Sequence, residues 1–568
     1  MIRRFRHLRI RNQPLCKTSL PRAAIKFHQF SSCAQMQSED LFRYTSGRWI
    51  YNEGLRQSER HLRFNVQELK RLIAQCVNKN ENDVVQFEKL AEGGFNRVFQ
   101  ACMSDGTHLI ARVPYSTTIP KYFTIASEVA TMDFLRSQGI PLPTVYGYSA
   151  TPDNSAGVEY IIMEMLEGKC IGDHWHSMTE EERIKIVFQI AEIEGKLFSI
   201  QLPASGSIFY VEDLDPDIPR VDFPGPDGKR RYCIGPSTSL NLWYQERSLL
   251  DIDRGPFTNS ENAFKAGAVK EKAYLSKYGR DRHLHNRLAR EVFKYEKQSP
   301  GPYLQTLEDF LLVAGHICPG KDSFLSHPTI RHPDLNPNNI SVSDSFEITG
   351  LIDWQHCSVL PLFLQCGIPT YLQNYGDEVS EGVVKPELPG NFDALNEQQQ
   401  GEALETFQKR QLHYYYLAAT VKRNPVHFDA LWDDFTMLKQ RLYTHASNPW
   451  EGDNVTLKVD LIEAEQNWSK IVTPTGNEPP PCPISYSKAE IETCFNLYRE
   501  MKEMDEQLDT TMESLGVGSE GWVPNQQYRA SKALEAKIKE QALGFAESEL
   551  ERQMLESHWP FDDHDEGE

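Results

Sequence analysis

The chain has no long apolar run and no excess of basic residues. None of its 568 residues lies in an uninterrupted stretch of 18 or more apolar side chains, so we expect no transmembrane helix. Its 80 acidic residues outnumber the 60 basic ones, which gives a formal net charge of −20. Proteins that bind nucleic acids usually present a basic face to the phosphates. The charge balance therefore predicts no nucleic-acid partner.

Cysteine pairs at metal-binding spacing are also missing. The eleven cysteines include no C-x-x-C pair and no Cys/His cluster at the spacing of a zinc site. Scattered cysteines of this kind indicate free thiols in a reducing compartment rather than a disulfide framework.

Acidic residues are absent from the first 38 positions, which hold eight Lys and Arg residues. Arginines there alternate with apolar residues, and serines follow at Ser31 and Ser32. An Arg-rich, Ser-containing and acid-free segment is typical of a mitochondrial transit peptide. We therefore predict a leader over residues 1–38 and a mitochondrial location. The alternative is a disordered basic arm.

The most informative motif lies beyond the middle of the chain. Residues 332–339 read His-Pro-Asp-Leu-Asn-Pro-Asn-Asn, and Asp353 follows two short apolar strand patterns. The order Asp334, Asn339, Asp353 is the order of a kinase-type catalytic loop. That chemistry needs an Asp to accept a hydroxyl proton, an Asn to hold one magnesium ion, and a second Asp for the magnesium that bridges the phosphates.

A plainer interpretation of the same motif is a loop whose Asn and Pro residues only form turns. It accounts for Asn336-Pro337-Asn338. It does not account for Asp353 at the end of the next apolar strand. The kinase-type interpretation is therefore favoured.

The N-terminal half supplies matching parts. Gly93 and Gly94 lie in a strand–turn–strand pattern, where glycine lets backbone N–H groups approach phosphates; an ordinary hairpin turn is the alternative. Arg112 places a cation on a strand pattern where kinases carry a phosphate-binding Lys. Glu128, sixteen residues later, opens a helical pattern, and this spacing suits an ion pair between strand and helix. The alternative is a surface Arg and a solvated Glu.

A buried strand pattern from Tyr160 to Leu166 precedes Gly168. In a two-lobed kinase the chain crosses between the lobes at this point, so the backbone at Glu164 and Leu166 is predicted to contact adenine. The alternative is an ordinary core strand.

Together these motifs resemble the aminoglycoside phosphotransferase/choline-kinase-like family of the protein-kinase-like fold, over about residues 80–370. More narrowly, the chain is similar to the fungal mitochondrial group called altered inheritance of mitochondria protein 9. The residues that carry the narrower resemblance are Phe42–Trp49, Phe64–Val66, Gly93–Val98, Ile352–His356 and Pro361-Leu362.

The resemblance implies an α+β, bilobal protein-kinase-like fold with an ATP and Mg²⁺ site. Residue by residue, Asp334 matches the catalytic base, Asn339 and Asp353 the metal ligands, and Glu128 the partner of the strand cation. Two departures stand out. That cation is Arg112 rather than Lys, and the planar, bulkier guanidinium is not interchangeable with an ammonium group. Pro333 replaces a usual Gly and removes a backbone N–H.

Pattern and composition also predict the organisation of the chain. Helices are expected at 428–445, 487–514 and 525–556, with a helical stretch from 261 to about 295, and the acidic tail that begins at Phe561 is expected to be disordered. The predicted units are a leader (1–38), an N-terminal helical extension (39–80), a small lobe (81–166), a large lobe (167–472) with an insertion at about 205–300, and a helical C-terminal extension with an acidic tail (473–568).

Two functions of different class follow. The first is a mitochondrial phosphotransferase that moves the ATP γ-phosphate to a hydroxyl of a small molecule. The second is a nucleotide-binding pseudokinase or scaffold. Retention of Asp334, Asn339 and Asp353 favours the enzyme, whereas Arg112 favours the scaffold. No pattern in the sequence identifies the acceptor or a protein partner.

Overall fold

The structure, a computed structural model, describes residues 38–175, 177–472 and 479–566. The predicted leader, apart from residue 38, lies outside these residues. Among the described residues, no helix is both long and apolar enough to cross a membrane. The nine cysteines in the same part of the chain are free thiols.

A short N-terminal segment packs on the small lobe. It contains β1 (Gly47–Trp49), α1 (Glu53–Glu59) and α2 (Val66–Cys76). The Asn65 side chain accepts a hydrogen bond from the Glu68 N–H and so caps α2. Leu69 and Ile73 are one turn apart on the buried face of α2, which packs on the sheet of the small lobe.

The small lobe is a five-stranded antiparallel sheet with one long helix. Its elements are β2 (Val84–Glu92), β3 (Asn96–Met103), β4 (His108–Pro114), α3 (Lys121–Ser137), β5 (Val145–Ser149) and β6 (Tyr160–Glu164). The strand order is β2-β3-β4-β6-β5, so β4 is central. Residues on β3 alternate between buried and partly buried, as a strand covered on one face requires.

Helix α3 is buried on every side. Residues 124–132 are all buried, whereas a helix on the surface of a sheet would expose one face. One side packs against the five-stranded sheet, and the other is covered by a three-stranded sheet within residues 207–235. The helix begins at Lys121, two turns before the predicted start at Glu128, so Glu128 is a mid-helix residue.

The large lobe begins with β7 (Lys169–Cys170) and α4 (Glu180–Ser199). Thr179 and Glu182 form a capping box at the N-terminus of α4. An insertion follows, with β8 (Ser207–Tyr210), β9 (Val221–Phe223), β10 (Tyr232–Gly235) and α5 (Ser260–Tyr278). The strands form an antiparallel sheet of order β8-β10-β9. The helix predicted to reach residue 295 ends at Tyr278, immediately before Gly279.

The rest of the large lobe carries the motif of residues 332–353 on short strands, backed by helices. Helix α9 packs against α4 behind these strands. In chain order the elements are α6 (Pro300–Ile317), β11 (Pro328–Ile330), β12 (Ile340–Val342), β13 (Ile348–Leu351), β14 (Val359–Pro361), α7 (Leu362–Gln365), α8 (Glu378–Glu381), α9 (Glu397–Arg423), α10 (Pro425–Leu431), α11 (Thr436–Ser447), α12 (Thr456–Gln466) and α13 (Trp468–Ile471).

The single helix predicted over 428–445 is wrong. The chain forms α10 and α11 instead, with a break at residues 432–435, where the Asp433 carboxylate accepts a hydrogen bond from the Thr436 hydroxyl at 2.9 Å. The helix predicted over 525–556 is also divided, between Gly544 and Glu549.

The C-terminal extension runs back to the small-lobe side of the molecule. It contains α14 (Lys488–Leu515), β15 (Trp522–Pro524), α15 (Tyr528–Gly544) and α16 (Glu549–Ser557). Strand β15 pairs antiparallel with β1. Ser548 caps α16 and separates it from α15.

As far as Glu566, the acidic tail packs against the rest of the chain, contrary to the predicted disorder. Trp559 and Phe561 are 1% and 2% exposed, and Asp563 accepts a hydrogen bond from the Asn52 N–H at 2.5 Å. Aromatic burial anchors the tail, and this is a tertiary effect that charge composition does not reveal.

Candidate functional site

The first part of the candidate site is a buried ion pair between the sheet and the helix of the small lobe. Arg112 lies on the central strand β4, opposite Val98 of β3 and Ile161 of β6. Its guanidinium contacts the carboxylate of Glu128 on α3. The two residues are 7% and 1% exposed. The predicted register between strand and helix is therefore present.

Arg112 also reaches across to the large lobe. Its Nη1 lies 3.4 Å from Oδ1 of Asp353, a residue 241 positions away. Burial lowers the pKa of Arg112, and the nearby Asp353 carboxylate acts in the opposite direction. Within the described residues, Nε of Arg112 and Oε1 of Glu128 are buried without a hydrogen-bond partner.

The second part is the loop that carries Asp334. Buried His332 fixes its start: Nε2 contacts the Ile352 carbonyl at 2.9 Å, and Nδ1 accepts the Asp334 N–H at 3.1 Å. The two contacts together assign a neutral ring with its proton on Nε2. Burial lowers the pKa of His332, which agrees with that state. His332 thus links the loop to the strand before Asp353, a role that the sequence motif alone did not indicate.

Arg331, the residue before His332, ties the same loop to helices of the large lobe. Its Nε donates to Glu194 of α4 at 2.7 Å, and its Nη2 donates to the Gly367 carbonyl at 2.7 Å. Glu194 also accepts the hydroxyl proton of Tyr416 on α9 at 2.5 Å. Sequence reasoning missed this network, since only the position of Arg331 next to His332 could have suggested it.

Asn339 lies beside Asp334. Its Nδ2 donates to the Asp334 carbonyl at 2.8 Å and lies 3.4 Å from Oδ2 of the Asp334 carboxylate. Asn336 holds the same carboxylate from the other side at 2.7 Å. With its amide nitrogen used in this way, Asn339 has its side-chain oxygen left as a metal ligand.

An antiparallel hairpin brings Asp353 to this loop. Ile340 of β12 pairs with Leu351 of β13, and the Ile352 N–H donates to the Asn339 carbonyl at 3.0 Å. Asp353 follows with φ of 67°, in the left-handed region that non-glycine residues seldom adopt. Its side chain is 47% exposed. The turn therefore leads the chain away from the strand and leaves the carboxylate accessible.

These groups fit magnesium rather than a transition metal. The available ligands are the hard oxygens of Asn339 and Asp353, and Mg²⁺ is commonly held by one or two such side chains together with substrate phosphates. No cluster of three or more His, Cys, Asp or Glu residues that could hold a metal occurs in the part of the chain described here.

The glycine turn closes over this region. Gly93 and Gly94 join β2 to β3, and the Gly93 N–H donates to the Asn96 carbonyl at 2.8 Å. A Cβ at Gly94 would meet no atom within 4 Å, so the backbone here is open to a ligand.

The residues after the glycines contact the large lobe. Phe95 packs edge-on against His356 at 5.6 Å between ring centroids, and the Asn96 amide donates to the Gln355 side chain. The turn therefore lies above the segment that carries Asp353, as the site interpretation requires.

The predicted adenine contacts lie at the connection between the lobes. Strand β6 ends at Glu164, whose carboxylate accepts the Thr144 N–H at 3.0 Å. Leu166 packs against Gly350 of β13, where a Cβ would collide with it. Leu166 is thus near the strand that leads to Asp353, while the Glu164 side chain is occupied by Thr144.

The comparisons with known proteins show which family this sequence resembles. The profile of the phosphotransferase enzyme family matches residues 86–363. A subtelomeric hrmA-associated cluster protein of Aspergillus fumigatus is 31% identical over 511 residues, covering 84% of this chain and 96% of the relative. Residues 86–363 form a domain of the phosphotransferase enzyme family. The fold of the chain is α+β, bilobal and protein-kinase-like, with a helical C-terminal extension.

Two more distant relatives are mitochondrial by name. Altered inheritance of mitochondria protein 9 of Yarrowia lipolytica is 24% identical, covering 86% of this chain and 85% of the relative. The protein of that name in Saccharomyces cerevisiae is 22% identical, with coverage of 86% and 87%. Both relatives are described as mitochondrial.

Solved structures of the family overlap less closely. The aminoglycoside phosphotransferase APH(4)-Ia, in a ternary complex with AMP-PNP and hygromycin B, is 15% identical and superposes with a TM-score of 0.31. The overlap covers 66% of this chain and 98% of that one. A TM-score of this size carries no argument about substrate, so the family assignment rests on the sequence matches.

Proposed function

We propose that this protein is a mitochondrial phosphotransferase that moves the γ-phosphate of ATP to a hydroxyl of a small molecule. The observation that supports this most is the convergence of Asp334, Asn339 and Asp353 on one side of the cleft, with Arg112 contacting Asp353 from the other lobe. The four groups come from two lobes, and their types match the needs of phosphoryl transfer.

Each residue has a proposed role. Asp334 orients the acceptor hydroxyl and receives its proton while the new O–P bond forms and the bond between the γ-phosphorus and the β–γ bridging oxygen breaks, leaving ADP. Asn339 and Asp353 hold magnesium, which neutralises charge on the phosphates when bound. Arg112, held by Glu128, contacts the α- and β-phosphates.

The nucleotide would lie between the lobes. The backbone of Gly93 and Gly94 covers the phosphates, and the connection at Glu164–Leu166 contacts adenine. Since the structure uses the Glu164 side chain locally, its contribution there would come from the backbone.

The transfer test uses the full chain with γ-labelled ATP and a small-metabolite extract. We expect labelled product from the wild type. Asp334→Asn should lower transfer by about 10²- to 10⁴-fold and leave the affinity for magnesium-ATP unchanged, because only the base is removed. Asp344→Asn is the matched control, since Asp344 is fully exposed in the β12–β13 turn.

One observation favours the alternative, a nucleotide-binding scaffold. Arg112 already contacts the Asp353 carboxylate, which is needed for the metal. Calorimetric titration with magnesium-ATP separates the two functions: binding without transfer across the extract supports the scaffold. Absence of binding would contradict both.

The mitochondrial part of the proposal rests on the composition of residues 1–38 and the names of the relatives. The carbonyls of Asp40 and Leu41 accept hydrogen bonds from Lys89 and Arg97 at 2.9 Å, so a processed chain should retain both residues. N-terminal sequencing of the endogenous protein should find cleavage between about residue 25 and residue 39. An intact residue 1 on a cytosolic protein would contradict it.

A further inference from the structure

The insertion sheet β8-β10-β9 covers the helix that carries Glu128, and its contacts with α3 are specific. Near the end of α3, Oδ2 of Asp133 accepts the hydroxyl protons of Tyr210 at 2.7 Å and Tyr232 at 2.9 Å. Arg231 pairs with the same carboxylate. All three partners belong to the insertion.

The start of α3 is held by the same insertion. The Tyr122 hydroxyl donates to the Asp213 carbonyl at 2.6 Å, and Phe123 packs edge-on against Phe209 with ring centroids 5.9 Å apart. The Tyr148 hydroxyl, from β5, donates to the Asp213 carboxylate at 2.7 Å. The insertion therefore holds the helix at both ends, with Glu128 between them.

A second set of contacts joins the insertion to the segment after Asp353. Gly206 and Val359 exchange two backbone hydrogen bonds, at 3.0 and 2.6 Å. The Ser207 hydroxyl donates to the Cys357 carbonyl at 2.9 Å, and Nδ1 of His356 contacts the Thr238 carbonyl at 2.9 Å. One small sheet thus holds both the helix of Glu128 and the chain that follows Asp353.

We propose that the insertion is a positioning clamp, in which Tyr210 and Tyr232 acting on Asp133 keep Glu128 against Arg112 and thereby keep the nucleotide site assembled. This inference rests on the proposed nucleotide-binding function. None of these three residues lies among the candidate catalytic groups, so they act through α3. Without the clamp α3 could move away from β4, and only the fraction of molecules with the helix in place would bind nucleotide tightly.

The test removes the two hydroxyl groups and keeps the rings. Tyr210→Phe/Tyr232→Phe in the full chain should raise the dissociation constant for magnesium-ATP by at least about threefold, since each lost hydrogen bond weakens the clamp. Hydrogen exchange of residues 121–137 should become faster relative to α4. Tyr486→Phe is the matched control, because it removes a Tyr–Asp hydrogen bond of 2.9 Å between the C-terminal extension and α6; both measurements should stay at wild-type values.

Two substitutions of Asp133 separate a positioning role from a general effect on stability. Asp133→Asn keeps an oxygen acceptor for the two hydroxyl groups and should stay close to the wild type. Asp133→Ala should behave like the double variant. A loss of affinity in Tyr486→Phe as large as that in Asp133→Ala would overturn the clamp, because the loss would then follow stability alone.

Nucleotide affinity and hydrogen exchange test the proposed function and the clamp separately. If the wild type does not bind magnesium-ATP, the proposed function fails, and hydrogen exchange still decides the clamp. Unchanged exchange in α3 of the double variant would overturn the clamp whether or not the protein binds nucleotide.

Discussion

The two halves of the candidate site differ in their exposure to solvent. In the small lobe, Arg112 and Glu128 are 7% and 1% exposed. In the large lobe, Asp334 is exposed and the Asp353 side chain is 47% exposed. A buried charge is tolerated only when it is paired, whereas an exposed carboxylate can exchange water for a ligand. The small-lobe half is therefore closed to solvent, and the large-lobe half is the part that a ligand can reach.

Breaking the buried half should have the largest effect. Glu128→Gln leaves the buried Arg112 without its charged partner on α3, and we expect the free energy of unfolding to fall by about 3 kcal/mol. Urea unfolding followed by circular dichroism measures this. Glu347→Gln is the control, since its pair with Lys185 is on the surface and should contribute less than about 0.5 kcal/mol. Equal losses of unfolding free energy in the two variants would mean that the buried pair stabilises the fold no more than a surface pair does.

Breaking the exposed half should affect ligand binding and not stability. Asp353→Asn suits the backbone, because Asn tolerates a φ of 67° better than most residues. We expect a stability loss below about 1 kcal/mol, as for other exposed pairs, and loss of the increase in melting temperature caused by magnesium-ATP. Asp344→Asn should keep that increase. A wild-type increase in Asp353→Asn would exclude Asp353 as a metal ligand.

Arg112→Lys tests whether the buried half serves catalysis. In a working enzyme adapted to Arg, the ammonium group cannot reproduce the forked contacts to Glu128 and Asp353, so turnover should fall or stay level. In a scaffold that has lost catalysis, the smaller cation releases Asp353, and turnover could rise from near zero. Initial rates with labelled ATP decide between these signs. A clear gain would overturn the preferred enzyme function.

A smaller effect should come from outside both halves. Burial, together with Arg290, Arg287 and His283, lowers the pKa of His558 from 6.5 to about 4. Between these values the unfolded chain binds a proton that the folded chain does not, so stability falls as the pH decreases from about 6.5 to 4.

Replacement of His558 isolates this contribution. The loss of unfolding free energy between pH 7 and pH 5 should be smaller in His558→Gln than in the wild type, by about 1 kcal/mol for this partly exposed group. Equal losses would show that His558 does not titrate in this way. Comparing His558→Gln with the wild type keeps a pH-dependent loss of stability in the C-terminal extension from being assigned to the candidate functional site.

Much of the site could be predicted because its parts are local in the sequence. Asp334 and Asn339 lie in one loop, and an alternating strand pattern brings Asp353 back by a hairpin. The pairing of Arg112 with Glu128 follows from a strand and the next helix, sixteen residues apart. Short-range periodicity and turn residues encode such relations directly.

Helix ends and the tail were harder to predict. A break at residues 432–435 separates α10 from α11, and the packing of the tail depends on burial of Trp559 and Phe561. Composition favoured a continuous helix and a disordered tail, because neither the helix break nor the burial is a property of average charge.

The sequence by itself determined which chemical groups the protein carries and in what order along the chain. Tertiary structure alone decided that Arg112 contacts Asp353, that β1 pairs with β15, and that the insertion sheet covers α3. Each of these contacts joins residues tens to hundreds of positions apart. Packing of complementary buried surfaces selects such partners, and no local pattern in the sequence records which surfaces will meet.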